Sequence, residues 1–208
     1  MNKEEAKLNL FLQGAYRRME RDAYEAASMH LSDLRRAGGC DGPLRTLRGH
    51  PDQPEVYGYQ MMWGYAGEHG GPIPEPMGFR LGCHHAIDIA FFFDVWDSIG
   101  VNRLTFTDEN RRGREELAHA MMDYAAAFAH HGTPNAPGSS LPVWQPWSND
   151  PGGPKLLRLD GDRERAHLEM GTDELTLADV RAALEKLPDP IREQVSELAR
   201  SDRGRRRI

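Results

Sequence analysis

Residues 83–93 read Cys83-His84-His85-Ala86-Ile87-Asp88-Ile89-Ala90-Phe91-Phe92-Phe93, and the fold assignment rests on this stretch. Its second half is strongly apolar and predicts the start of a short helix. His84 and His85 stand at the start of that helix. A histidine in this position is well placed to project into a cleft, where a carboxylate that fixed its tautomer would make it a general base. The alternative is that both histidines only cap the helix through hydrogen bonds.

The sequence on either side of this stretch predicts alternating loops and regular elements. Bulky residues predict strands at residues 55–63 and 155–159. Apolar spacings of three and four predict helices over 3–36 and 109–131, ended by Gly38-Gly39 and by Gly132 respectively. Glycine and proline predict loops at residues 38–54, 64–82 and 133–154. Residues 172–200 are predicted to form two polar helices that divide at Pro188 and Pro190. A loop as long as residues 64–82 is usually functional.

The composition excludes several classes of protein. The 208 residues carry 26 Lys and Arg against 32 Asp and Glu, a net charge of -6, which argues against a nucleic-acid-binding domain. No apolar run approaches the roughly 18 residues of a membrane-spanning helix. The N-terminus shows no signal peptide, so a cytoplasmic location is the default expectation. Cys40 and Cys83 leave one disulfide or two free thiols equally open.

The order of residues from His85 to Phe93 resembles the segment around the catalytic histidine of type-B carboxylesterases, the family that includes cholinesterases and para-nitrobenzyl esterases. In that family, the histidine precedes a small residue, any residue, an acid, an aliphatic residue and a Phe-x-Phe ending. The matching residues, in order, are His85, Ala86, Asp88, Ile89, Phe91 and Phe93. The resemblance assigns the catalytic role to His85, because His84 takes the variable position before it.

Three further segments resemble the same family in the same order. They are Val56-Tyr57-Gly58-Tyr59, the helix and turn from Met121 through Gly132-Thr133-Pro134-Asn135, and Leu141-Pro142-Val143-Trp144-Gln145-Pro146-Trp147. Ala125 departs from the family's frequent Trp, which affects packing rather than chemistry. Together, the segments extend the resemblance over residues 55–159.

The N-terminal residues Asn2-Lys3-Glu4-Glu5-Ala6-Lys7-Leu8 resemble the family's acid turn, in which the second acidic residue belongs to the catalytic triad. Glu5 matches that position, although an acid at a helix start is also favoured by the helix dipole. The family further needs a Gly-x-Ser-x-Gly elbow and a glycine-rich oxyanion loop. The sequence contains neither, and Ser98 lacks the first glycine and follows the histidine, whereas the family's order is Ser, acid, His.

The resemblance implies an α/β fold, namely the helix-rich C-terminal section of an α/β-hydrolase with few strands and most of the central sheet missing. Residues 1–170 would belong to the carboxylesterase domain, and residues 171–208 would form a polar helical tail. The complete enzyme would hydrolyse small-molecule carboxylic esters without a cofactor. This chain, with His85 and Glu5 but no nucleophile, is expected to be inactive alone. The alternatives are a non-catalytic interaction module, one half of a split esterase whose N-terminal half is supplied in trans, or a metal-assisted hydrolase. Neither nucleic acid nor a membrane is an expected partner.

Three smaller expectations follow. Without the central sheet, apolar side chains would lose their partner surface, so Phe91, Phe92 and Met62 are predicted to be exposed. A metal site at His84, His85 and Asp88 is disfavoured, because adjacent helical residues point about 100° apart. The four tryptophans are predicted as core and loop anchors rather than a cation-binding box; they are Trp63, Trp96, Trp144 and Trp147.

Overall fold

The computed structural model describes residues 20–64, 71–97 and 102–205, which divide into two units. The first unit comprises the described residues of 57–146 and 154–172, and the second those of 20–56, 147–153 and 173–205. The assignment of residues 1–170 and 171–208 to separate domains stays a prediction.

Three strands form the sheet of the first unit, in the order β1 (Gly58–Met61), β2 (Leu156–Gly161) and β3 (Ala166–Met170). β1 runs parallel to β2, with Gly58 opposite Leu156. β2 and β3 form an antiparallel hairpin in which Leu159 is opposite Leu168. Within β2, Leu157 and Leu159 are buried and Arg158 between them is only half-buried, as the alternation of a pleated strand requires.

The described residues of the first unit also form the helices α3 (Met77–Leu81), α4 (Ile87–Phe93), α5 (Asn102–Thr105) and α6 (Arg111–His131). A 3-10 turn at Asp108–Asn110 leads into α6. The helix ends at Gly132, whose φ of 72° is the left-handed conformation that glycine adopts without strain. The predicted helix at 109–131 and its glycine stop are confirmed.

The hydrophobic core lies where α4 packs on α6 and α6 packs on β2 and β3. The side chains of Trp63, Phe91, Leu117, Leu157 and Leu159 are almost completely buried there. Burying an aliphatic or phenyl side chain of this size contributes about 1.5–3 kcal/mol, so these residues dominate the stability of the unit.

The second unit is helical: α1 (Arg21–Arg36), a π-helix (Ala37–Asp41), α2 (Gly42–Arg48), α7 (Leu177–Glu185) and α8 (Asp189–Arg205). α1 packs against α7 and α8. The buried carboxylate of Asp41 accepts hydrogen bonds from Arg36 Nε at 3.2 Å and from the backbone N–H of Leu175 at 2.7 Å. These bonds tie the π-helix to the segment that enters α7.

Several predictions about these elements are wrong. Gly38-Gly39 does not end a helix, because the chain continues through the π-helix into α2, so most of the loop predicted at 38–54 is helical. Glycine permits the left-handed conformation but does not require it. The first strand is shorter than the predicted 55–63, and the predicted loop 64–82 contains α3. The division of the C-terminal segment near Pro188 is confirmed by α7 and α8. Of residues 3–36, those before residue 20 lie outside the described part of the chain.

The described residues thus form an α/β fold that is rich in helices and contains a small three-stranded sheet. Among the helices described, none is long and apolar enough to cross a membrane. Cys40 and Cys83 are both free thiols.

Candidate active site

Two unusual backbone conformations bracket the histidine pair. Gly82 has φ 48° and ψ −143°, and Ala86 has φ 65° and ψ 16°. A left-handed conformation is uncommon for a residue with a Cβ and persists only where the surroundings determine it. Within this turn, the backbone N–H of His84 donates to the carbonyl oxygen of Gly82 at 3.0 Å, and that of Ile87 donates to the carbonyl oxygen of His84 at 3.2 Å. The chain at the histidines is therefore a defined turn.

Side chains on both flanks anchor this turn to β1. The thiol of Cys83 donates to the carbonyl oxygen of Met61 at 3.0 Å. On the other flank, the Tyr59 hydroxyl donates to Asp88 Oδ2 at 2.7 Å. Sequence analysis missed the link between Tyr59 and Asp88, although the strand pattern and the acid three residues after His85 were its visible signals.

Packing of α4 fixes which of its residues face solvent. Phe91 is fully buried, with its ring 5.3 Å from that of Trp63 and 5.7 Å from that of Phe106 in edge-to-face geometry. Phe93, two residues on, is 72% exposed. The prediction that Phe91 is exposed is wrong, because α6 and the sheet cover that face of α4.

Phe92 and Met62, the other two residues predicted to be exposed, are both half-buried. Phe92 packs its ring edge-to-face against Tyr59 at 5.7 Å. The prediction is therefore wrong for both residues, and for Phe92 the reason is that Tyr59 of β1 packs against its ring.

His85 lies on the exposed side of the anchored turn, beside a surface cavity of about 430 Å³ lined by Met61 and residues 83–89. Its ring makes no hydrogen bond within the described part of the chain. Glu5, the predicted partner, lies outside the described residues. Ala86 occupies the N-cap of α4, and no side chain caps it, so the alternative that the histidines cap this helix is wrong.

The ring of His84 is oriented differently. Its Nδ1 lies 3.2 Å from the backbone carbonyl oxygen of His85, and because a carbonyl only accepts, Nδ1 carries the proton. Nε2 is buried and has no hydrogen-bond partner among the described residues. Burial lowers the pKa of His84, against the opposing effect of its bond to the His85 carbonyl. The ring is therefore neutral at pH 7.

Cys83 is the one thiol at the cavity within the described residues, and its environment keeps it protonated. The residue as a whole is exposed, but the thiol itself is closely surrounded, and that burial is the main cause that raises its pKa to about 12. The carboxylates of Asp88 and Asp160 act in the same direction. A thiol rather than a thiolate is a poor nucleophile, so Cys83 does not substitute for a catalytic serine.

No group of three or more His, Cys, Asp or Glu side chains suited to a metal ion occurs in the described ranges. At the position considered from the sequence, Asp88 already accepts from Tyr59, and His84 Nδ1 is engaged by a carbonyl.

The segments that resemble the esterase family bond to one another in the first unit. Asn135 accepts from the backbone N–H of Trp144 at 2.8 Å and donates to the carbonyl oxygen of the same residue at 2.9 Å. The Tyr124 hydroxyl donates to the carbonyl oxygen of Pro142 at 2.6 Å. Trp144 Nε1 in turn donates to the carbonyl oxygen of Gly58 in β1 at 3.2 Å. Segments that are distant in sequence therefore meet beside the strand that anchors the histidine turn.

The tryptophans behave as the sequence predicts. Trp63, Trp144 and Trp147 are buried. Trp96 stacks with a cation of the chain itself, since the guanidinium carbon of Arg114 lies 5.0 Å from its ring centre. These rings are structural anchors.

A second surface cavity, of about 570 Å³, lies at the start of α6 and is lined by charged side chains. Its arginines pair with neighbouring carboxylates, as in the contacts of Arg112 with Glu164 at 3.2 Å and of Arg163 with Glu109 at 3.3 Å. Such exposed, mutually compensated charges are ordinary surface ion pairs.

Comparison with models of known protein families gives no match to this sequence, and comparison with curated proteins gives none either. Among solved structures, the chain is similar to a carboxylesterase of Geobacillus stearothermophilus whose crystal structure was determined at pH 6.2. The identity is 23%, the TM-score is 0.39, and the match covers 68% of this chain and 24% of that carboxylesterase. A similarity this low carries no argument about function.

Proposed function

We propose that the first unit is the histidine-bearing, C-terminal part of an α/β-hydrolase of the type-B carboxylesterase family, with His85 as general base and Glu5 as the carboxylate that orients it. The observation that carries the proposal is the presentation of His85. His85 is an exposed residue of a turn that Cys83 and Asp88 anchor to β1 on either side, and it precedes a left-handed alanine. Strained backbone of this kind concentrates at functional sites.

In the proposed reaction, a serine hydroxyl attacks the ester carbonyl while the ring of His85 accepts the hydroxyl proton. The ring then returns this proton to the departing alkoxide, which leaves an acyl-serine and an alcohol. Water, activated by the same ring, cleaves the acyl-serine to release the acid. Glu5 would accept a hydrogen bond from the other ring nitrogen and stabilise the imidazolium between these steps. An exposed ring fits this role, since a nucleophile must be able to reach it.

The nucleophile is the part of the machinery that these 208 residues do not encode, because they contain no Gly-x-Ser-x-Gly. Without a covalent nucleophile, a histidine and a carboxylate activate water only weakly. The chain alone is therefore proposed to lack esterase activity.

The assay of this proposal is hydrolysis of a p-nitrophenyl ester by the purified chain, with and without EDTA. We expect no turnover above that of the His85→Ala variant in either condition. Turnover that EDTA abolishes would replace this proposal with a metal-assisted hydrolase, and metal-independent turnover by the chain alone would contradict the proposed inactivity.

A second experiment tests the role of His85 directly, in a longer chain. The DNA upstream of the Met1 codon is sequenced, and an in-frame Gly-x-Ser-x-Gly segment found there is expressed together with residues 1–208. The expected result is ester hydrolysis that His85→Ala lowers by roughly 10⁶-fold, as for loss of the histidine of a serine triad. The matched control is His119→Ala, an exposed histidine of α6 that should leave the rate unchanged. Equal rates in all three proteins would remove His85 from the mechanism.

One observation favours a second candidate, a non-catalytic interaction module on the same scaffold. Phe93 is 72% exposed and Ile89, one turn earlier in α4, is 48% exposed. Adjacent exposed apolar side chains are typical of interaction surfaces. If the chain is such a module, no Gly-x-Ser-x-Gly segment should be encoded upstream. Phe93→Asp should then abolish binding of the partner, and an N-terminal half supplied in trans would count as such a partner.

A further inference from the structure

We propose that His84 is a positioning residue for His85: the hydrogen bond from its Nδ1 to the backbone carbonyl oxygen of His85 holds the peptide between residues 85 and 86 in one orientation. This orientation gives Ala86 its left-handed conformation and fixes the direction in which the chain presents His85. That this positioning serves catalysis rests on the proposed function, whereas the hydrogen bond between His84 and the His85 carbonyl does not.

The first step of the argument is the geometry of the ring. Since the carbonyl of His85 can only accept, the proton of the neutral His84 ring is on Nδ1. Nε2 is buried and has no partner in the described ranges. A buried acceptor without a partner is unfavourable. The ring therefore keeps its hydrogen bond at Nδ1 although this leaves Nε2 without one.

The second step concerns Ala86. A φ of 65° is unfavourable for a residue with a Cβ, so other contacts must stabilise the conformation. Backbone bonds flank the position, from the N–H of Ile87 to the carbonyl oxygen of His84 and from the N–H of Ile89 to that of Ala86. Among the described contacts, His84 is the residue whose side chain bonds to the carbonyl oxygen of His85.

The third step links the turn to His85. The His85 ring makes no hydrogen bond among the described residues, so no such bond holds its direction, and the backbone sets the direction of the bond from Cα to Cβ. A flip of the peptide between residues 85 and 86 would turn that backbone and redirect the ring. His84 is also neutral, because burial disfavours its charged form, and it places no positive charge beside His85.

A double-mutant cycle between His84→Ala and Ala86→Gly tests the link, with folding measured by urea denaturation. His84→Ala should lower the folding equilibrium constant by roughly fivefold, the usual effect of one lost hydrogen bond. In the Ala86→Gly background the loss should be clearly smaller, since glycine adopts the left-handed conformation without support. His119→Ala is the control and should show the same small effect in both backgrounds. Equal losses from His84→Ala in the two backgrounds would overturn the proposal.

Nuclear magnetic resonance at pH 7 provides a second test that does not depend on stability or on esterase activity. The His84 ring of the unaltered chain should show the Nδ1-protonated tautomer. The ring signals of His85 should shift or broaden in His84→Ala and return in His84→Asn, because the asparagine amide places a donor near the position of Nδ1. An Nε2-protonated His84, or His85 signals identical in all three proteins, would refute the positioning role. Failure of the esterase assays would leave these outcomes intact, so the two proposals fail separately.

Discussion

The Tyr59 hydroxyl donates a hydrogen bond to Asp88 Oδ2 over 2.7 Å, which joins β1 to α4 one turn after His85. The bond gives Asp88 a structural role, since its carboxylate is used to hold the helix rather than to orient the His85 ring. In the proposed function, the orienting carboxylate is that of another residue, Glu5.

Tyr59→Phe should lower the free energy of unfolding by about 1–2 kcal/mol, because it removes a hydrogen bond to a carboxylate. The measurement is urea denaturation of Tyr59→Phe, Asp88→Ala and the double variant. If the two groups act through their shared bond, the double variant should lose clearly less stability than the sum of the single losses. Additive losses would show that the bond does not contribute to stability.

The sequence predicts best those elements that an apolar repeat and a stop residue define together. α6 shows both, with apolar residues such as Leu117 and Met121 on its core face and Gly132 at its end. The helix after the histidines was predicted from its composition alone, since residues 87–93 are too apolar for a loop. In the site, the position of His85 at the start of this helix was predicted from the sequence.

Other features depend on tertiary contacts that a linear pattern does not contain. The π-helix passes through Gly38-Gly39 and ends at Asp41, whose carboxylate bonds to Leu175 far along the chain. The sequence did not predict β3, because a charged turn precedes it and its pattern is short. In this strand, the apolar residues Ala166 and Leu168 alternate with the polar residues His167 and Glu169. The role of His84 depends on a backbone carbonyl and on the φ of Ala86, and neither is a sequence feature.

Phe91 and Phe93 should respond very differently to truncation. Phe91→Ala should lower the free energy of unfolding by about 3–5 kcal/mol, because it leaves a cavity in the core. Phe93→Ala should change the same quantity by less than about 0.5 kcal/mol, because that side chain is mostly in water. Thermal unfolding measured by circular dichroism compares the two. A large loss from Phe93→Ala would mean that its side chain is covered.

Asp162, in the hairpin turn between β2 and β3, should make the folding stability fall as the pH is lowered. Burial raises the pKa of Asp162, but the hydrogen bonds from His167 and from the N–H groups of Glu164 and Arg165 outweigh it and bring the pKa from 3.8 to about 2. A carboxyl group whose pKa is lower in the folded state stabilises the fold above pH 4, and this contribution disappears as the pH falls from about 4 to 2.

Asp162→Asn should therefore be less stable than the unaltered chain at pH 5, and the difference should shrink as the pH is lowered towards 2. Urea denaturation at several pH values measures this difference. Glu164→Gln is the control, because Glu164 lies in the same turn and its carboxylate makes, within the described part of the chain, only an exposed ion pair, with Arg112 of α6. A difference for Asp162→Asn that stays constant from pH 5 to pH 2 would contradict the assigned pKa.

Gly113 lies in the first turn of α6, where the helix approaches the backbone of the same hairpin. Its N–H donates to the carbonyl oxygen of Arg163 at 3.1 Å, and a Cβ at this position would collide with the carbonyl oxygen of Asp162. Because backbone atoms cannot move aside as a flexible side chain can, Gly113→Ala should lower the free energy of unfolding by more than about 2 kcal/mol. Gly39→Ala is the matched control: beyond its chain neighbours and its own helix backbone, no atom of the described residues lies within 4 Å of a Cβ placed there, so it should be neutral or stabilise the fold by up to about 1 kcal/mol. Chemical denaturation compares the two, and equal effects would show that α6 and the hairpin are not in close contact at Gly113.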